Sequence, residues 1–290
     1  MVKIEFTIEL VYDILQQPAD FIFNVHAASS PRQLLKQENF QTEPPVAVGM
    51  FSDPCTGNRY ARLRTGPGPL RVRYDAVVDI NHYTSSPDIL WEVPVAELPA
   101  EVLTYIYPSR YCQSDRLRQT ARSEFGHLPS GYWRVRAIQD WVHRRTCFLS
   151  GSSNSETSAI DTMINQAGVC RDFAHLMIAM CRALNIPARF VTGIDYGSDP
   201  IYGPTDFHAY VEVFLSDRWY LFDVSGMAQP MGLIRLGTGR DAADVSFATI
   251  FGSVISMSPC IAVAAIEDIA HGISLPAACT DAISTAGRGL

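Results

Sequence analysis

The 290-residue sequence contains no C-x-x-C pair, and its seven cysteines, an odd number, are scattered from Cys55 to Cys279. That pattern suggests neither a disulfide framework nor a zinc site, and reduced thiols fit the cytosol. Long hydrophobic runs are missing as well. No window approaches the ~18 apolar residues of a membrane span, and the opening MVKIEFTIEL lacks the apolar core of a signal peptide. The expectation is a soluble, cytoplasmic protein with no membrane partner. Positive charge is in deficit: 23 Lys and Arg stand against 30 Asp and Glu, a net charge of -7, which argues against a general nucleic-acid binder. Between Arg110 and Arg145 the balance reverses locally, eight Arg against Asp115, Glu124 and Asp140. This reads as a solvated helix face laced with ion pairs. What the chain has in quantity is apolar surface: 47% hydrophobic and 10% aromatic residues can bury one large core or two modest ones.

The first hundred residues read as strands. Lys3 to Leu10 alternates polar and apolar side chains with period two, and the rhythm returns in Tyr60–Arg64 and Leu70–Val78 across the turn-rich Thr65-Gly-Pro-Gly-Pro69. The pattern predicts an antiparallel β-sandwich over residues 1–105, followed by a proline-marked connecting segment, 106–130, with a short helix. Beyond it the period changes. Gly131 to His143 places Trp133, Ala137, Ile138, Trp141 and Val142 on one helical face, and Ser158 to Gln166 forms a second short helix that Gly168 breaks. Val169 to Leu184 is apolar on nearly every side, as a fully surrounded helix is, and stops at Asn185-Ile-Pro187. Three strands of one sheet should follow, Ala188–Thr192, Phe207–Leu215 and Trp219–Val224. The second domain, 131–270, is therefore α+β, an antiparallel sheet around a buried helix. The strand-like run Val254–Ile266 is expected to return to that sheet, and the small-residue tail, 271–290, to fray.

Chemistry concentrates at Cys170. It falls in or beside the first turn of the buried helix, where free N–H groups and the positive end of the helix dipole favour a thiolate and can receive an oxyanion. Cys181, in mid-helix, reads as core. A thiol nucleophile needs an imidazole base and a group to orient it. Two histidines compete. His175 is five residues along the helix, about 140° around, so the two side chains diverge and it reads as structural. His208 opens one strand and Asp223 lies late in the next, with Ser216-Asp217 as the hairpin turn. If Leu215 pairs with Arg218, then 210 pairs with 223 and 208 with 225, so His208 and Asp223 share a face as diagonal neighbours.

These residues resemble a known family. Gly168–Leu176, Arg182–Arg189, Asp206–Val213 and Arg218–Asp223 look like the transglutaminase-like superfamily in its bacterial cysteine-protease branch. Gly239–Val245 is similar to that branch too, and the strand-rich start resembles its N-terminal domain. The resemblance implies a transglutaminase-like (papain-like) core in which Cys170 is the nucleophile, His208 the general base and acid, and Asp223 the orienting carboxylate. The implied reaction is attack on a carboxamide of a peptide or protein substrate through a thioester, without a cofactor. Hydrolysis and transamidation differ only in which acceptor resolves that thioester. The sequence carries no calcium-ligand cluster, which disfavours a calcium-gated transglutaminase. Asp223-Val-Ser-Gly-Met-Ala-Gln-Pro230 departs from many relatives and changes the pocket wall downstream. Trp133 and Trp141 were weighed as indole donors to an oxyanion, the amphipathic-face reading being preferred.

The loop 193–206 leads into His208. Tyr196, Tyr202 and Asp206 are its candidate substrate contacts, and its acids would favour basic peptides. In Gly239–Val245, an Arg–Asp ion pair fixing the loop beside the site is the preferred reading. Two other functions stay open: a non-catalytic binding or scaffold protein with the same fold, and, third, an amidase acting on glycan-linked amides.

Overall fold

Period-two alternation builds the first layer of the computed structural model, which describes residues 1–197 and 205–287. In β1 (Val2–Ile14) every second side chain from Val2 to Ile14 is buried. The strands that follow are β2 (Ala19–Phe23), β3 (Gln33–Glu43), β4 (Gly49–Ser52), β5 (Arg59–Thr65), β6 (Gly68–Ile80) and the short β7 (Tyr83–Ser85). They form two sheets, one containing β1, β6 and β3 and the other β2, β5 and β4. Between the sheets lies one apolar core that includes Phe6, Leu10, Phe21, Phe23, Leu63 and Val72.

The middle of the chain supplies α1 (Arg118–Phe125), α2 (Tyr132–Arg145), β8 (Cys147–Phe148), α3 (Ala159–Asn165), β9 (Ala167–Gly168) and α4 (Cys170–Ala183). In α4 every residue from Asp172 to Ala183 is buried. Each large apolar side chain among them contributes about 1.5–3 kcal/mol by leaving water, which anchors the helix. Its first residue, Cys170, is only half-buried. Behind α4 stands a sheet of β10 (Ala188–Asp195), β11 (Phe207–Leu215), β12 (Arg218–Phe222) and β13 (Leu233–Gly239), in the order β12-β11-β10-β13. Fold class thus follows the sequence reading: an N-terminal β-sandwich and an α+β core in which a buried helix packs on an antiparallel sheet.

Three expectations are corrected. The chain after β13 does not stay in the second sheet: β14 (Ala248–Phe251) pairs with β2, and β15 (Val254–Ser256) and β16 (Cys260–Ile266) pair with β1. Alternation identifies a strand in 254–266 but says nothing of its partner. The tail does not fray over its described part either. β17 (Ala282–Ser284) pairs with β7, and Ala282 to Ala286 are buried. On α2 the apolar face turns by a residue: Tyr132, Val135, Ile138, Trp141 and Val142 are buried, while Trp133 is 58% exposed and donates its indole N–H to Asp88. The arginines about α2 do make ion pairs, Arg134 with Glu92 and Arg136 with Asp140.

The two modules meet along β13. Among the described residues no strand pairs with its outer edge, and side-chain amides stand in for one, together with the Ala28 N–H on the Arg235 carbonyl at 2.9 Å. The Gln33 amide accepts from Arg235 N–H at 2.8 Å and donates to Arg235 C=O at 2.8 Å. Asn58 does the same for Thr238, accepting and donating at 2.8 Å. Four backbone groups of an edge strand are thereby satisfied without a ladder.

Candidate active site

Three elements deliver the candidate residues. Gly168 lets α4 begin where it does, because a Cβ there would lie 2.7 Å from Cβ of Asp172. Asp172, wholly buried, accepts from Val169 N–H at 2.9 Å and from the Ser153 hydroxyl at 3.0 Å, so the helix start is fastened both to itself and to the preceding loop. Cys170 is consequently the first residue of a well-held helix.

The hairpin β11–β12 has the register read from the sequence, with Leu215 opposite Arg218 and Val211 opposite Phe222. His208 and Asp223 meet on one face: His208 Nε2 lies 3.0 Å from Asp223 Oδ1. The downstream departure noted above serves this carboxylate. Ser225 donates its hydroxyl to Oδ1 at 2.9 Å and Ala228 its N–H to Oδ2 at 2.9 Å. From α2, Gln139 grips the Asp223 carbonyl at 2.6 Å, and His143 Nδ1 stands 3.2 Å from the Val224 carbonyl.

Cys170, His208 and Asp206 line one cavity of about 640 Å³ between the modules. Cys170 Sγ lies 3.9 Å from the carbonyl of Phe207, the residue next to His208. The opposite wall comes from the sandwich side: Phe247, Ala248, Ser258 and Pro259, with Phe207 and Phe247 stacked at 4.2 Å. Sequence reasoning missed this wall, since it follows from the return of the last strands to the sandwich.

Burial opposes charge on His208, but the charge and hydrogen bond of Asp223, with Asp195 adding to them, hold the ring above its usual range. Burial likewise opposes ionisation of Asp223, and His208, the Ala228 N–H and the Ser225 hydroxyl together bring it below the usual carboxylate range. Burial, with the charges of Asp223 and Asp206, pushes the Cys170 thiol up to about 12, against the N–H groups of Ala209 and Arg171. Position at the helix start and burial thus act on this thiol in opposite directions.

The remaining candidates separate. Asp206 faces the cavity, and burial followed by the nearby Asp195 raises its pKa. The half-buried Tyr196 packs against the sandwich core instead of lining the cavity. Tyr202 lies outside the described residues. His175 is a core residue, stacked 5.0 Å from Tyr111 and accepting from Ala242 N–H at 3.1 Å, with burial driving it well below its usual pKa. Arg240 pairs with Asp244 at 2.9 Å, and Asp241 accepts from Tyr111 N–H at 2.9 Å, which fixes the 239–245 segment beside the cavity. Trp141 gives its indole N–H to Glu124 at 3.0 Å. Both weighed indoles are thus engaged away from Cys170.

Comparison with known proteins agrees with this architecture. Residues 118–224 match the family model of the transglutaminase-like superfamily, and residues 2–101 that of the bacterial transglutaminase N-terminal domain. A crystal structure titled a "putative cysteine protease", from Cytophaga hutchinsonii, is 36% identical, covers 98% of this chain and 97% of its own, and superposes with a TM-score of 0.90. An uncharacterized protein of Mycobacterium tuberculosis H37Rv is 27% identical over 257 residues, 77% of this chain and 81% of that one. For an uncharacterized protein of Mycobacterium leprae the match is 28% over 116 residues, 39% of this chain and 42% of that protein, so the chain spans less than half of this relative. The chain belongs to the transglutaminase-like superfamily and carries the bacterial transglutaminase N-terminal domain.

Proposed function

We propose that the protein is a thiol enzyme that cleaves or transfers peptide or isopeptide amide bonds, with Cys170 as nucleophile, His208 as general base and acid, and Asp223 as its orienting carboxylate. The observation that carries this reading is the 3.0 Å His208–Asp223 pair, whose histidine lines the same cavity as a cysteine that starts a buried helix. Asp223 occupies Nε2 of the ring, leaving Nδ1 for the chemistry. In the reaction, His208 takes the Cys170 proton, Sγ bonds to the amide carbon, the C–N bond breaks, and the imidazolium so formed delivers that proton to the departing nitrogen. Water or an amine then attacks the thioester, giving its proton to His208 as the thiolate leaves. Helix-start N–H groups are available to the oxyanion formed in each step. No cofactor enters the scheme.

The test is the rate of iodoacetamide alkylation of Cys170 against pH, read by mass spectrometry, in the wild type and in His208→Ala. The expected result is a Cys170 rate that depends on His208 and exceeds that of Cys181, which is wholly buried. A Cys170 rate indifferent to His208 and no faster than that of Cys181 would leave the scaffold reading, which the burial of the thiol favours.

A further inference from the structure

His208 has two ring nitrogens and a carboxylate before each. On β12's side Asp223 meets Nε2, and on the other flank Asp195 Oδ2 lies 3.8 Å from Nδ1. Strand register produces this symmetry. Gly193 of β10 is directly opposite His208, so Asp195, two residues on, is its diagonal neighbour on the same face. Asp223 is the matching diagonal neighbour from the other side, on the register that sets Val211 opposite Phe222. Gly193 lets β10 lie close to β13 there, since a Cβ would be 2.4 Å from the Ile234 carbonyl. Asp195 is itself buried, at 5% exposure. It stands outside the Cys–His–Asp set and is placed before the one ring nitrogen which that set leaves for Cys170.

We infer that Asp195 is a positioning residue: it holds the Nδ1 side of His208 against the competing thiol and sets the pH interval in which Cys170 is a thiolate beside an imidazolium. This rests on the reading of Cys170 and His208 given above. The sign follows from counting charge. With the thiol protonated, the imidazolium between two carboxylates carries a net -1; loss of one proton from the Cys170–His208 pair makes it -2, and loss of the second makes it -3. Without the Asp195 charge the same steps run from 0 to -1 to -2, so both occur at lower pH. The charged residues that line the cavity, among those described, are Arg171, Asp195, Asp206 and His208. Arg171 keeps its charge with or without that of Asp195, whereas Asp206, whose pKa Asp195 raises, ionises more readily once that charge is gone and offsets part of the shift. Arg171 is moreover held by Ser153, the Asn154 carbonyl and Asp172. Two proton equilibria therefore titrate as one coupled unit, with Asp195 shifting both limbs toward alkali.

The experiment is the alkylation-rate profile of Cys170 between pH 5 and 11, measured with iodoacetamide on the full chain, for the wild type, Asp195→Asn and His208→Ala. In Asp195→Asn both inflections should move to lower pH by about one unit, so that below the first inflection alkylation is about tenfold faster. A purely structural role would change the amplitude and leave the inflections in place. That outcome, with a His208-dependent profile in the wild type, overturns the inference and spares the catalytic reading. A profile unchanged by His208→Ala overturns the catalytic reading and this inference with it. If Asp195→Asn does not fold, Asp195→Ser removes the same charge in a smaller side chain. Failure of both to fold makes Asp195 a structural residue and also overturns the inference.

Discussion

Replacing Glu212 by Gln should cost the protein about 3–5 kcal/mol, a large share of a typical stability of about 5–15 kcal/mol. Glu212 is wholly buried in β11 and shared by two arginines. Arg189 donates its Nε at 2.8 Å and sets Nη2 at 2.7 Å, while Arg235 reaches the other carboxylate oxygen. The cluster carries a net +1 in the native protein and +2 in Glu212→Gln, with both guanidiniums still out of water. Arg189 keeps only partial relief, 4.2 Å over the ring of Trp219. Urea titration followed by tryptophan fluorescence measures the loss as a drop in midpoint at unchanged slope. In Glu212→Gln combined with Arg235→Met the net charge returns to +1, and part of the loss should be recovered. The pH sign is fixed by the depressed pKa of Glu212, where burial opposes ionisation but Arg235 and Arg189 prevail. Its contribution is present above the ordinary glutamate range and is lost as pH falls through the folded value. A Glu212→Gln midpoint equal to that of the wild type, or a difference that grows toward acid, would refute the reasoning.

Two further outcomes are expected. Asp172→Ala removes the acceptor of Val169 N–H and of the Ser153 hydroxyl, and should cost about 1–2 kcal/mol in thermal or urea unfolding while slowing Cys170 alkylation through a loosened helix start. Truncation after residue 280 removes β17, together with the Arg218 bond to the Ala286 carbonyl at 3.2 Å and the Arg235 bond to the Thr285 hydroxyl at 2.9 Å. It should lower the melting temperature by several degrees, and an unchanged melting curve would show the tail to be dispensable.

Local periodicity made most of the site's scaffold legible. The near-continuous apolar run after Val169 identified a surrounded helix, and α4 starts at Cys170. One assumed hairpin pair, Leu215 with Arg218, fixed the face shared by His208 and Asp223, because side chains alternate strictly along a strand. What period cannot carry is the identity of a distant partner. Residues 254–266 announce a strand, yet whether it joins β13 or β1 depends on which edge is free. That edge at β13 is already satisfied by Gln33 and Asn58. The relation of Asp195 to His208 is hidden from local pattern, since it requires the β10–β11 register across a gap of eleven residues. The burial around Cys170 is hidden from local pattern for a similar reason. Position on the helix speaks for a thiolate, but the burial that opposes it comes from strands remote in sequence.

The return of the chain to its first strand has a consequence for synthesis. β1 is paired on one side by β6 and on the other by β15 and β16, some 240 residues later. While the ribosome makes the intervening transglutaminase-like core, that second edge of β1 has no native partner, and an open edge is a template for pairing with another chain. Its surviving defence is composition: Lys3, Glu5, Glu9 and Asp13 keep charge along the strand until its own last strands arrive. The sandwich therefore begins before the core and is among the last pieces to close, and nascent chains are most exposed to mispairing in that interval.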